Sequence, residues 1–104
     1  MGKRENEIEK YLIDKVEERG GFVRKYTSPG RKGVPDRICF LPGGRTIFVE
    51  CKTPEGKLSA LQKRELKRIQ DLMIPVFVAN HKIGIDHLMA LYDKSVGVND
   101  EPKR

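Results

Sequence analysis

Two carboxylates and a lysine, Asp36, Glu50 and Lys52, are the side chains of this sequence best placed by spacing to do chemistry together. They belong to two largely apolar segments, DRICFL and RTIFVECK, that are joined by Pro-Gly-Gly and are typical of a β-hairpin. If residues 40 and 46 close this hairpin, the same register places Asp36 directly opposite Glu50. Strand alternation then puts Lys52 on the same face as Glu50. The pattern therefore predicts two facing carboxylates beside an amine.

Facing carboxylates destabilise a pair of strands, and their burial is costly unless a cation neutralises them. Mg²⁺ binds hard oxygen ligands, and Asp36, Glu50 and the backbone carbonyl of Cys51 could supply them. Lys52 would lie beside the ion, where it could orient or deprotonate a water that attacks phosphorus. The alternative is structural: Asp36 ends a loop, and Glu50 and Lys52 form an ion pair on an exposed sheet face.

The spacing of these residues resembles a known nuclease pattern. Pro35-Asp36, followed by Glu50-Cys51-Lys52, resembles the PD-(D/E)xK signature, and TSPGRKGVPDRICFLPGGRTIFVECKTPEGKLSALQKRE is similar to the VRR-NUC branch in its small, stand-alone phage form. The resemblance implies a restriction-endonuclease-like fold, dependence on Mg²⁺ or Mn²⁺, and phosphodiester hydrolysis that leaves a 5′-phosphate. It also implies that Asp36 and Glu50 are metal ligands and that Lys52 is the general base or positions the water.

Members of that family also bring an acidic residue of the first helix to the metal. Helical geometry measured from Ile8 places Glu5 nearest the apolar stripe, with Glu9 next and Glu7 on the opposite side. Glu5 is therefore the expected ligand and Glu9 the reserve. A first-turn glutamate that complements the helix dipole is the competing interpretation for Glu5.

The second helix carries a polar residue, Gln62, inside an otherwise apolar stripe that should face the sheet; the stripe comprises Leu61, Leu66, Ile69, Leu72 and Met73. By resemblance, Gln62 is the glutamine that follows the ExK strand and reaches the Lys52 neighbourhood or a phosphate, and we count it among the catalytic residues. It also stands three residues after Ser59, as a capping box requires, and both roles can hold together.

Basic residues around this region are candidates for DNA binding. Ser28, Arg31 and Lys32 lie in the loop before Asp36, where the glycines at 30 and 33 permit close backbone approach, so they are expected to grip DNA. The outer face of the second helix carries a row that could follow a phosphate backbone or could simply be solvated, namely Lys63, Arg64, Lys67 and Arg68.

Hydrophobic periodicity predicts the order α-β-β-β-α-β-α. The expected ranges are a helix at 5–19, a strand at 22–28, the hairpin, a helix at 59–73, a strand at 74–80 and a helix at 81–94. This is an α/β fold with a restriction-endonuclease-like core, a mixed central sheet flanked by helices, whose last strand is reached by a crossover that favours parallel pairing. Phe22 and Tyr26 share a strand face and are expected in the core. A single domain should span 1–95, followed by a polar tail at 96–104.

Composition sets the broad class. The 104 residues are 38% hydrophobic with a net charge of +6, which fits a folded domain with a polyanionic partner. The two cysteines, Cys39 and Cys51, have neither zinc-site nor disulfide-framework spacing and should be buried thiols. No apolar run indicates a signal peptide or membrane span, so no membrane partner is expected and the protein should be cytoplasmic, in the host cytoplasm if it is phage-encoded.

The expected function is therefore that of a metal-dependent DNA endonuclease. Stand-alone members of the resembled family look like Holliday-junction resolvases, and a twofold-symmetric junction suits a homodimer that cuts branched DNA. The alternatives are a monomeric flap or nicking nuclease and a catalytically silent DNA-binding module.

Overall fold

The computed structural model of the protein describes the backbone of residues 3–97 and the side chains from residue 6 to residue 97. Its elements are α1 (Lys3–Glu18), β1 (Phe22–Lys25), β2 (Arg37–Leu41), β3 (Arg45–Cys51), α2 (Ala60–Asp71), β4 (Val76–Ala79) and α3 (Lys82–Ser95). The predicted order of elements is confirmed. Of the predicted polar tail, residues 98–104 lie outside the described part of the chain.

The sheet has the strand order β1-β2-β3-β4. The β1/β2 and β2/β3 pairs are antiparallel, whereas β4 runs parallel to β3 after the crossover through α2. Phe40 pairs with Thr46, which is the predicted hairpin register. Gly43 and Gly44 both have positive φ, 85° and 73°, so the turn uses the backbone freedom of glycine. This mixed sheet with flanking helices is the predicted α/β fold class.

The core lies between α1, α3 and one face of the sheet. On β3 the odd-numbered residues Ile47, Val49 and Cys51 are buried in it, as the alternation predicted. Helix α1 contributes Leu12 and Val16, which are both fully buried, and α3 covers the same face of the sheet. The even-numbered residues of β3 therefore face the other way, toward α2.

Helix α2 covers that second face only in part, because it packs on the edge strand β4. Of its apolar stripe, only Leu66 is buried, so the prediction that the whole stripe faces the sheet is wrong. Leu72 is 71% exposed and Met73 is 89% exposed, because the helix ends at Asp71 and these residues form its C-terminal turn. Met73 adopts a positive φ of 63° there.

The uncovered part of this face also corrects the prediction for Phe22. Phe22 is 44% exposed and its ring packs on Phe40, with the ring centroids 5.1 Å apart, because α1 packs on the other face of β1 and no described helix covers this one. Tyr26 is partly buried and meets Phe48 edge-on. Strand β1 ends at Lys25, before the loop that begins at Ser28.

None of the helices within residues 3–97 is long and apolar enough to cross a lipid bilayer.

Candidate active site

Two acidic side chains meet where β2 begins and β3 ends. Asp36 immediately precedes β2, and Glu50 is the penultimate residue of β3; the pairing of Arg37 with Val49 brings the two into adjacent register. The Asp36 carboxylate accepts a hydrogen bond of 3.1 Å from the backbone N–H of Cys51. The predicted opposition of Asp36 and Glu50 follows directly from this register.

The Glu50 carboxylate is buried, with the residue only 5% exposed. Its Oε2 accepts a hydrogen bond of 3.1 Å from Gln62 Nε2 and lies 3.5 Å from Lys52 Nζ. Burial raises the pKa of Glu50 above its usual range, and the charge of Asp36 raises it further, while Lys52 opposes the shift. The pKa of Asp36 is also raised, chiefly by burial, although the Cys51 N–H and Arg37 oppose this.

Lys52 follows the last residue of β3 and is held by the sheet. Its backbone N–H donates to the carbonyl of Ala79 at the end of β4, so the parallel pairing extends one residue past the strand. The Lys52 side chain is 22% exposed and therefore reaches both Glu50 and solvent. An amine in this position can contact a ligand that approaches the carboxylates.

Gln62 reaches Glu50 while it also caps α2. Its Oε1 accepts from the Ser59 N–H at 2.9 Å, and the Ser59 hydroxyl accepts from the Gln62 N–H at 3.1 Å, which completes the capping box. The same amide then donates through Nε2 to Glu50. The predicted capping box is therefore present together with a contact to Glu50, the neighbour of Lys52, and the cap fixes which end of the amide faces the carboxylate.

The first helix presents Glu9 at this site. Glu9 forms an ion pair with Arg37, whose guanidinium also donates to the Asp36 carbonyl at 2.9 Å and lies 3.6 Å from the Asp36 carboxylate. The side chain of Glu5, the predicted ligand, lies outside the described residues. Among the described glutamates of α1, the reserve Glu9 is the one linked to Asp36, through Arg37.

Sequence reasoning missed Arg37, which is only 3% exposed. One signal was available: strand alternation places Arg37 on the same face as Cys39 and Leu41, both buried. A buried arginine requires an anionic partner, so this position pointed to a carboxylate on the helix above it.

The donor set fits a hard divalent cation. Asp36 and Glu50 are carboxylates with raised pKa values, and the Cys51 carbonyl leaves its strand on the same side as the N–H that binds Asp36. Within the described residues no group of three or more His, Cys, Asp and Glu side chains is arranged to hold a metal. Mg²⁺ does not need such a group, because it commonly uses one or two carboxylates and keeps several waters.

The loop before β2 packs on the first half of α2. Gly33 has a φ of 88°, and a side chain there would come within 2.7 Å of the Leu61 carbonyl. Arg31 forms an ion pair with Glu65, and its N–H closes a turn on the Ser28 carbonyl at 3.0 Å. Lys32 is exposed. The predicted DNA-contact residues Ser28, Arg31 and Lys32 therefore occupy one loop held against α2, next to Gln62.

Comparison with known proteins agrees with this architecture. The VRR-NUC domain model matches residues 5–82. A solved structure described as a VRR_NUC domain superposes with a TM-score of 0.81 at 35% identity, covering 88% of this chain and 99% of its own. A protein named "Putative nuclease p44", from Acyrthosiphon pisum secondary endosymbiont phage 1, is 52% identical over 66 residues, which are 64% of this chain and 71% of that protein. The resemblance found in the sequence is thereby confirmed, and the chain belongs to the VRR-NUC domain family.

Proposed function

We propose that this protein is a metal-dependent endonuclease that hydrolyses DNA phosphodiester bonds at Asp36, Glu50 and Lys52. The observation that carries the proposal is the pair of carboxylates with raised pKa values, held in one strand register within reach of a lysine and a glutamine. Membership of the VRR-NUC family and the name of the phage relative support a nuclease.

Each residue has a distinct role in the proposed hydrolysis. Asp36, Glu50 and the Cys51 carbonyl would hold Mg²⁺ or Mn²⁺, with Glu5 or Glu9 of α1 as the further acidic residue. When bound, the cation supplies a Lewis acid that activates water and neutralises charge at phosphorus. Gln62 holds the Glu50 carboxylate in place, as its 3.1 Å hydrogen bond allows. Lys52 orients the attacking water or accepts its proton. As the water forms its new bond to phosphorus, the bond from phosphorus to the 3′-oxygen breaks; the 3′-oxygen takes a proton from solvent and leaves as a hydroxyl, and the phosphate stays on the 5′-oxygen.

The loop before β2 would bind the DNA beside this centre. Ser28, Arg31 and Lys32 are close in sequence to Asp36, and the loop is anchored on α2 through Gly33. Contacts of this kind to phosphate oxygens fix the position of a duplex without reading its sequence.

The preferred substrate is branched DNA, cut by a homodimer. A four-way junction has twofold symmetry and requires two matched incisions. Each chain carries one candidate centre among its described residues, so a dimer would supply one centre for each incision. A monomeric flap or nicking nuclease is the alternative within enzymes, and the mass of the protein in solution separates the two. The proposed substrate also implies a cytoplasmic location, in the host cell if a phage encodes the chain.

The experiment incubates the protein with labelled four-way junction, matched linear duplex and flap DNA, in Mg²⁺, Mn²⁺ or EDTA. The variants are Glu50→Gln and Lys52→Ala, with Lys67→Ala as the control because Lys67 is an exposed lysine paired with Asp71 on the outside of α2. We expect paired symmetric cuts in the junction. These cuts should be lost in EDTA and in both site variants, and they should remain in the control variant. DNA binding without any cleavage would refute the nuclease and leave the binding module.

A further inference from the structure

A basic groove runs between the loop before β2 and α2. It has a volume of about 510 Å³, and its lining residues are Gly30, Arg31, Lys32, Leu61, Arg64, Glu65 and Arg68. Four of these carry a positive charge and one a negative charge, so the groove is strongly cationic. It is open to solvent, as a site for a polymer backbone must be.

The groove adjoins the candidate active site through α2. Leu61 lines the groove, and the next residue, Gln62, donates to the Glu50 carboxylate. Gly33 seats the loop against the Leu61 carbonyl, so the loop and the helix keep a fixed separation. The groove and the carboxylates therefore lie beside the same turn of α2.

The structure divides the basic row of α2 into residues that face the groove and residues that do not. Arg64 and Arg68 line the groove. Lys67 instead pairs with Asp71 at 3.0 Å, and its side chain is 74% exposed. On a uniformly solvated helix face, these three cations would have equivalent surroundings. Their surroundings differ, because the two arginines line the groove and Lys67 does not.

Glu65 sits among the groove's cations. Its Oε1 accepts from both Nε and Nη2 of Arg31, at 3.2 and 3.1 Å, and its side chain is only 16% exposed. It therefore occupies two of the donors of a guanidinium that lines the groove. A phosphate oxygen could replace this carboxylate at the same donors, because an arginine fork binds both groups in the same planar geometry.

We propose that this groove binds the DNA phosphates that flank the scissile bond through Arg64 and Arg68, and that Glu65 weakens DNA binding because a phosphate must displace it from Arg31. The inference rests on the proposed function for the position of the scissile bond. The ligand class is the nucleic-acid backbone, recognised by charge, and no base contact is needed. Glu65 would then limit the affinity for linear and branched DNA alike.

The test measures binding of fluorescently labelled linear duplex and four-way junction across a series of NaCl concentrations in EDTA, which prevents cleavage. Arg64→Ala and Arg68→Ala should each weaken binding and lower the slope of log affinity against log salt by about 0.9, the value for one duplex phosphate contact. Lys67→Ala, which removes the same charge from the same helix, should leave the slope unchanged. Equal slopes for wild type and both arginine variants would refute the proposal that Arg64 and Arg68 bind DNA phosphates.

Glu65→Gln tests the second half of the proposal. It should tighten binding of both DNAs about two- to fivefold, the range expected for release of a partly exposed ion pair. Asp71→Asn, which removes a negative charge that is paired with Lys67, is the control and should change affinity less. Weaker binding by Glu65→Gln, with an unchanged melting temperature, would overturn the role of Glu65.

The same variants separate this inference from the nuclease proposal. If the protein cleaves the junction in Mg²⁺ but the arginine variants have unaltered salt slopes, the proposal that the groove binds DNA phosphates is refuted and the nuclease proposal stands. If the arginine variants have lowered slopes but the protein cuts no DNA in Mg²⁺ or Mn²⁺, the groove still binds DNA phosphates and the nuclease proposal is refuted.

Discussion

Replacement of Arg37 by methionine should be among the most destabilising substitutions at the edge of the site. The Arg37 side chain is 4% exposed, and it is the cation that contacts both Glu9 and Asp36, whose side chains are 19% and 32% exposed. Methionine preserves much of the packing but leaves both carboxylates without this counter-charge. Breaking a buried pair in this way costs about 3–5 kcal/mol.

The lower end of that range applies here, because Glu9 and Asp36 retain some contact with water. A loss of about 3 kcal/mol corresponds to a fall in melting temperature of about 12–24 °C for a domain of this size. Urea unfolding in EDTA, followed by circular dichroism, measures the change in the free energy of unfolding directly.

The matched control is Arg19→Met. Arg19 contacts Asp93 through two nitrogens at 2.8 and 2.9 Å, so its geometry is good, but the two side chains are 24% and 27% exposed. Its removal should cost about 1 kcal/mol. A loss for Arg37→Met no larger than that for Arg19→Met would refute the reasoning from burial.

A double variant identifies the source of the loss. Glu9→Gln removes one of the two uncompensated charges, so adding it to Arg37→Met should recover part of the lost free energy of unfolding. An absence of recovery would show that packing, rather than charge, accounts for the effect.

Three further predictions concern the site and its supports. Since the pKa of Glu50 is raised in the folded state, its charge costs stability at neutral pH, so Glu50→Gln should melt higher than wild type at pH 7. This gain should be lost as the pH falls from the raised pKa of the folded state to the ordinary pKa of a glutamic acid. Mg²⁺ should raise the melting temperature of wild type but not of Asp36→Asn, which a titration by differential scanning fluorimetry would reveal. Cys39 and Cys51 are buried with pKa values raised to about 12, so neither thiol should react with iodoacetamide at pH 8 until urea unfolds the protein.

Local rules in the sequence determined the centre of the candidate site. The Pro-Gly-Gly turn and the alternation of the two strands predicted a hairpin, and its closure by residues 40 and 46, which the structure shows, sets Asp36 beside Glu50. The capping box likewise followed from Ser59 and Gln62, three residues apart. These features depend on neighbours in the chain or across one turn, where backbone geometry leaves few choices.

Tertiary packing decided what surrounds that centre. Glu9 pairs with Arg37 only because α1 packs on the sheet. Arg64 and Arg68 line a groove, and Lys67 does not, only because the loop before β2 contacts α2. Periodicity places residues on a helix face, but it does not give the rotation of that helix or the length it covers. For the same reason Phe22 and the end of the α2 stripe, which the pattern assigned to buried positions, are exposed where no element within residues 3–97 covers them.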